Sequence, residues 1–132
     1  MESSAAKLDV QTLYMGIVTQ AITDITSKNV TLDTILDVSD FFASDHGKMI
    51  MDVLDLDYKI IDANCRIGAK RDMALQFIAY RKQGLSDWPI VRRLRISFRD
   101  AARYRKEIDM AEIHLRRERH LREKKARQLL GH

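Results

Sequence analysis

The side chains with most capacity for chemistry in this sequence are its cations. The stretch from Arg92 to Arg127 carries fourteen Lys or Arg against six acids, whereas residues 1–91 carry nine against thirteen. The formal net charge of +4 is therefore a deficit of four followed by a surplus of eight. Guanidinium groups present a rigid fork of donors that matches phosphate oxygens and the guanine edge, and ammonium groups act on phosphates as point charges. A block this basic is the electrostatic footprint of a surface that meets nucleic-acid phosphates. The competing reading is a solvated, salt-bridged helix that is merely basic.

Other reactive residues are sparse. Asp45-His46 is the one adjacent acid and imidazole pair, and in a loop such a pair reads as a cap beside a surface residue rather than a catalytic dyad. His114 and His120 lie six residues apart, so they do not share a helix face as ligands at four-residue spacing would. No Gly-rich nucleotide loop, zinc signature or nucleophile motif is present. The expectation is a non-enzyme with no catalytic residue, no cofactor and no metal ion.

A chain of 132 residues and 15.3 kDa has room for one compact core plus an appendage. With 45% hydrophobic and 32% charged residues, five Gly and one Pro, it has too little punctuation for a strand-and-turn architecture, which predicts an all-α fold. The single Cys65 cannot form an internal disulfide and reads as a small core residue. That fits a reducing, cytoplasmic and nucleoid-associated setting. The N-terminus lacks a basic and then apolar leader pattern, and no run reaches the roughly 18 apolar residues of a membrane span, so a soluble protein with no membrane partner is expected.

Helices must position the cations. Leu8, Val10, Leu13, Tyr14, Ile17, Val18, Ala21, Ile22 and Ile25 recur at three- and four-residue spacing, giving one wide apolar face over residues 8–26. Its Thr and β-branched residues are weak helix formers, so packing within the fold or against another subunit must stabilise it. Thr31 or Asp33 can cap a helix carrying Leu32, Ile35, Leu36, Phe41 and Phe42. Ser44-Asp45-His46-Gly47 reads as a break, followed by a short helix from Lys48 to Leu54. Asp57 can cap another running to about Ile67. The pattern Phe42, Ser44-Asp45, Ile50, Val53-Leu54-Asp55-Leu56-Asp57 resembles small helical proteins of phage and prophage genomes over some fifteen residues. Another helix is predicted from Asp72 and is closed by Gly84. Ser86 or Asp87 then caps a helix that accepts Pro89 in its first turn.

The segment from Gly84 to Lys106 resembles the helix-turn-helix DNA-binding superfamily, in the versions found in recombinases, transposases and phage regulators, where Gly-x-Ser precedes the first helix. Here Gly84-Leu85-Ser86 leads into Asp87–Leu94, Arg95-Ile96-Ser97 forms the turn, and Phe98–Glu107 corresponds to the recognition helix. Val91 stands where the family prefers a small residue and Arg95 where it often has Gly, so Arg95 must take a left-handed conformation at a cost of about 1 kcal/mol relative to Gly. The resemblance implies that Ile90, Leu94, Ile96, Ala101 and Tyr104 are buried. It also implies that Ser97 caps the second helix and that Arg99, Ala102, Arg103 and Lys106 face outward to the DNA. Arg99 and Arg103 suit base edges, while Arg92, Arg93, Ser97 and Lys106 suit phosphates. Phe98 could touch a thymine methyl or pack against its neighbours.

Nothing after Lys106 stops a helix before Gly131. Ala101, Tyr104, Ile108, Ala111 and Leu115 keep a heptad-like seam that gives way to Glu118, Arg122 and Lys125. Beyond Leu115, Arg116, Arg117, Arg119, Arg122, Lys124, Lys125 and Arg127 surround the axis, as suits a phosphate backbone.

Three regions are thus expected: an acidic helical packing and dimerisation region over 1–72, a helix-turn-helix over 73–107, and a basic helical tail over 108–132. Together they describe a homodimer that binds double-stranded DNA as a transcriptional regulator or accessory factor of a phage or mobile element. The alternative is an interaction factor whose basic helix docks on an acidic surface of a larger protein complex, such as a polymerase or nuclease assembly.

Overall fold

The computed structural model describes residues 2–131, with side chains from Asp9 onward. Met1, His132 and the side chain of Leu8, a member of the expected apolar face, lie outside the described residues. The fold is all α. Seven helices and no strand occur among the described residues: α1 (Glu2–Thr26), α2 (Leu32–Ala43), α3 (Asp45–Val53), α4 (Tyr58–Cys65), α5 (Ile67–Lys82), α6 (Asp87–Leu94) and α7 (Phe98–Leu129). No helix is long and apolar enough to cross a membrane. Packing divides the chain into two compact units, with the boundary between Gln76 and Phe77, within α5.

In the first unit, short polar residues set the helix starts. The Thr31 hydroxyl accepts a hydrogen bond from the Thr34 N–H at 3.1 Å, and the Asp57 carboxylate accepts one from the Lys59 N–H at 2.9 Å. Each satisfies an amide that the first turn leaves without a partner. Val18 and Ile25 of α1, Leu32, Ile35, Val38 and Phe42 of α2, Ile50 and Met51 of α3, and Cys65, Ile67 and Ala74 form the core. The Phe42 ring meets Phe41 at 5.1 Å and Tyr58 at 5.5 Å. Two cations of α5 tie distant helices together. Arg71 donates to Asp40 at 2.6 Å and to Ser39 at 3.1 Å, and the Lys70 ammonium donates to the Ile25 carbonyl at 2.9 Å, where the last turn of α1 presents unpaired carbonyls.

Two helix starts differ from the sequence expectation. The break expected over residues 44–47 is confined to the extended Ser44, between the end of α2 and the start of α3. Ser44 caps α3, accepting from the Gly47 N–H at 3.0 Å and donating to the Phe41 carbonyl at 2.6 Å, so the helix already begins at Asp45. Gly47 is buried in its first turn, where a β-carbon would run into the Phe41 carbonyl. The helix expected from Asp72 instead begins at Ile67, because α4 stops at Arg66 in the left-handed conformation (φ 56°) and the Asp62 carboxylate accepts from the Gly68 N–H at 2.8 Å, capping α5 from six residues upstream.

The apolar face of α1 is only partly covered. Leu13 is 63% exposed and Val10 and Met15 are also exposed. Between α1 and α2 runs an open groove of about 590 Å³ whose walls include Leu13, Gly16, Ile17, Ala21, Val38 and Phe41.

The second unit is built on α6 and the first third of α7, with Phe77, Ile90, Ala101 and Tyr104 buried. Phe77 meets the Tyr104 ring edge-on at 5.5 Å. Gly84, at φ 85°, ends α5. Its N–H reaches the Arg81 carbonyl at 3.0 Å while the Leu85 N–H reaches Tyr80 at 3.1 Å, the paired bonds of a left-handed helix terminus.

Candidate nucleic-acid interface

The two helices of the second unit are joined by three residues. α6 carries Pro89 in its first turn and ends at Arg95, which is left-handed (φ 55°, ψ 41°) with its N–H on the Val91 carbonyl at 2.9 Å. An arginine thus occupies a backbone position that glycine adopts without strain. Ser97 then starts α7, its hydroxyl accepting from the Asp100 N–H at 3.0 Å. Ser86, at the head of α6, makes no such side-chain bond. Ile90 and Ala101 are fully buried and Tyr104 nearly so, whereas Leu94 and Ile96 are half-buried. Burial pushes the Tyr104 hydroxyl above its ordinary pKa, with the neighbouring Arg103 charge acting in the opposite sense.

Three acids of this unit are engaged by particular arginines. Arg105 meets Asp87 at 3.3 Å, Arg81 meets Asp109 at 3.8 Å, and Arg103 meets Asp100 at 2.9 Å. Arg92, Arg93, Arg95, Arg99 and Lys106 remain exposed around the joint. Arg93 lies over the Tyr80 ring at 5.2 Å. Arg103 does not project freely as its outward position suggested. It folds back on Asp100 and over the Tyr104 ring at 4.9 Å, half-buried, and Ala102 is half-buried beside it.

Trp88, in the first turn of α6, and Phe98, the first residue of α7, stack with ring centres 5.2 Å apart and planes 12° from parallel. They remain 56% and 50% exposed. The Arg92 guanidinium sits 5.9 Å from the Trp88 ring, and a shallow depression of about 440 Å³ is lined by Trp88, Pro89, Arg92 and Arg93. Sequence reasoning leaves Phe98 ambiguous and gives Trp88 no role. The ten-residue separation of two helix-starting aromatics is the available signal.

α7 continues for 32 residues, about 48 Å at 1.5 Å per residue. Arg116, Arg117, Arg119, Arg122, Lys124, Lys125 and Arg127 are all exposed along it. His114 pairs with Glu118 at 3.1 Å. Asp45 and His46 lie exposed in the first turn of α3. Among the described residues, no group of three or more His, Cys, Asp or Glu is arranged to hold a metal ion. No protein-family model, curated protein or solved structure matches this chain.

Proposed function

We propose that the protein binds double-stranded DNA through the α6–α7 joint and the exposed length of α7, as a nucleoid-associated regulator or accessory factor of the kind used by phages and mobile elements. The observation that carries this reading is the division of labour among the arginines. Arg81, Arg103 and Arg105 pair with three acids of the unit, Asp109, Asp100 and Asp87, while Arg92, Arg95, Arg99 and Lys106 stay exposed at the start of a long basic helix. A helix whose first turns face the major groove while its flanks hold phosphates needs this arrangement.

Titration of random duplex DNA at several salt concentrations tests it. A steep linear loss of log affinity with log salt is expected, and no binding at low salt would overturn the proposal. Within that assay, Arg99→Ala is expected to reduce discrimination between a selected site and random duplex by about 1–3 kcal/mol, the value of a bidentate base contact, whereas Arg103→Ala, which removes a side chain folded back on Asp100, is expected to leave that discrimination largely unchanged. Equal preference of wild type and Arg99→Ala across all duplexes would refute the base-reading role.

The groove between α1 and α2 supports a dimer on the same reading. Gly16 and Ala21 are small enough for a second helix to approach closely, and Leu13 stands exposed at the edge. Ile17→Glu combined with Ala21→Glu is expected to convert the dimer to monomers. A wild-type mass near 15 kDa at high micromolar concentration in sedimentation equilibrium would rule the dimer out.

A second reading, docking of α7 on an acidic protein surface, is favoured by one observation. Met110, Ile113 and Leu121 are exposed along one strip of the helix between its cations, and phosphate contacts alone have no use for them.

A further inference from the structure

We infer that Trp88 and Phe98 form a paired aromatic plate that reads the 5-methyl groups of thymine in the major groove. This inference rests on the DNA-binding reading and deepens it from charge recognition to base discrimination.

The argument begins with what the pair does not do. Aromatic side chains present on the order of 150–250 Å² each for burial, yet Trp88 and Phe98 leave half or more of theirs in solvent. They stack on each other from the first turns of two different helices, so each ring restricts the other and the exposed patch is held in place by α6 and α7 together. An apolar patch fixed in this way, rather than scattered, marks a contact surface.

Charge then selects the partner. Arg92 lies against the Trp88 ring, Arg93 borders the same depression, and Arg99 follows Phe98 directly and is exposed. Asp87 and Asp100, the acids closest in sequence, are already paired with Arg105 and Arg103. An apolar centre rimmed by cations fits a surface that offers a small apolar group between rows of phosphates. The thymine methyl is the apolar group that the major groove displays.

Ring geometry separates methyl contact from base stacking. The near-parallel rings cover one face of each, and Arg92 stands near the outer face of Trp88. What remains is ring edge and the single outer face of Phe98. Single-strand binding relies on open aromatic faces on which successive bases lie, whereas an edge and corner suit a methyl group. The plate also sits at the N-terminal end of α7, the part of a recognition helix that reaches base edges.

The test compares an alternating dA–dT duplex with the same duplex carrying deoxyuridine in place of thymidine, a change that removes only the methyl group. The full-length wild type is expected to bind the thymine duplex about fourfold to fifteenfold more tightly, from the transfer value of one or two methyl groups. Trp88 is the sole tryptophan, so its emission should change on binding the thymine duplex and change less with deoxyuridine. Phe98→Ala and Trp88→Ala should bind both duplexes equally, and Phe98→Leu, which keeps an apolar side chain, should retain part of the difference. Salt-dependent duplex binding with no thymine preference and unchanged Trp88 emission would overturn this inference while leaving the DNA reading intact. A preference that survives both alanine variants would also overturn it, as would tighter binding to single strands than to duplex. Absence of binding to every duplex at low salt would overturn both readings.

Discussion

Removing residues 116–132 is expected to leave the thermal transition in place while lowering duplex affinity by roughly a hundredfold or more at physiological salt. The two halves of this result have separate causes. From Met110 onward the described side chains of α7 are exposed, apart from a half-buried Glu118, so the deleted segment contributes nothing to the core around Phe77, Ile90, Ala101 and Tyr104. It does contribute seven of the chain's cations against two acids. Each phosphate that is no longer neutralised lowers the salt slope by about 0.9, so the slope should fall by up to about 6. Sequence preference should persist, because phosphate contacts position a protein without reading bases. Comparing salt titrations and melting curves of the two lengths checks both halves. Unfolding of the shortened chain would make the tail structural, and an unchanged salt slope would assign its cations to something other than DNA.

The second large effect is on stability. Gly47→Ala is expected to destabilise the first unit by about 3 kcal/mol, because the added methyl would overlap the Phe41 carbonyl and force apart two helices that Ser44 holds together. For a unit of this size that corresponds to a fall in melting temperature of roughly 15 °C. The same substitution at Gly16, in the middle of α1 with nothing within 4 Å of the new β-carbon, should instead stabilise by about 0.5–1 kcal/mol, since it removes only the entropic weakness of glycine in a helix. Thermal melts of both variants in dilute solution decide the point. Equal shifts of the same sign would show that Gly47 is not sterically required.

Local rules made much of the second unit legible in the sequence. Ser97 before Phe98, Pro89 shortly after Ser86, and Gly84 after Lys82 are start and stop signals that act through their immediate neighbours, and the helices fall where those signals put them. Of the positions that the helix-turn-helix resemblance implies are buried, Ile90, Ala101 and Tyr104 are, whereas Leu94 and Ile96 are half-buried. What stayed hidden depends on groups that are remote along the chain. α5 starts five residues early because Asp62 reaches forward to Gly68, a cap outside the usual three-residue reach. Gly47 looked like a stop because its burial against a carbonyl of the preceding helix leaves no trace in periodicity. At the candidate interface, the cations were visible as a count. Which of them pair internally was not, since Arg105 with Asp87 and Arg81 with Asp109 join residues far apart in sequence.

α7 has neither glycine nor proline anywhere between Phe98 and Leu129, and this continuity carries a mechanical consequence. A cationic tail on a flexible linker samples a volume and meets phosphates wherever they happen to be. A single helix rooted by Ala101 and Tyr104 behaves as a lever arm instead, and no joint interrupts its course to the tail. The entropy of restraining the tail has then been spent during folding, so on the DNA-binding proposal its contacts would act at high effective concentration once the N-terminal end had docked. The rod also imposes a direction: on the DNA-binding proposal, over about 48 Å it would meet only those phosphates that its axis crosses, and the curvature of the duplex would become part of what is recognised.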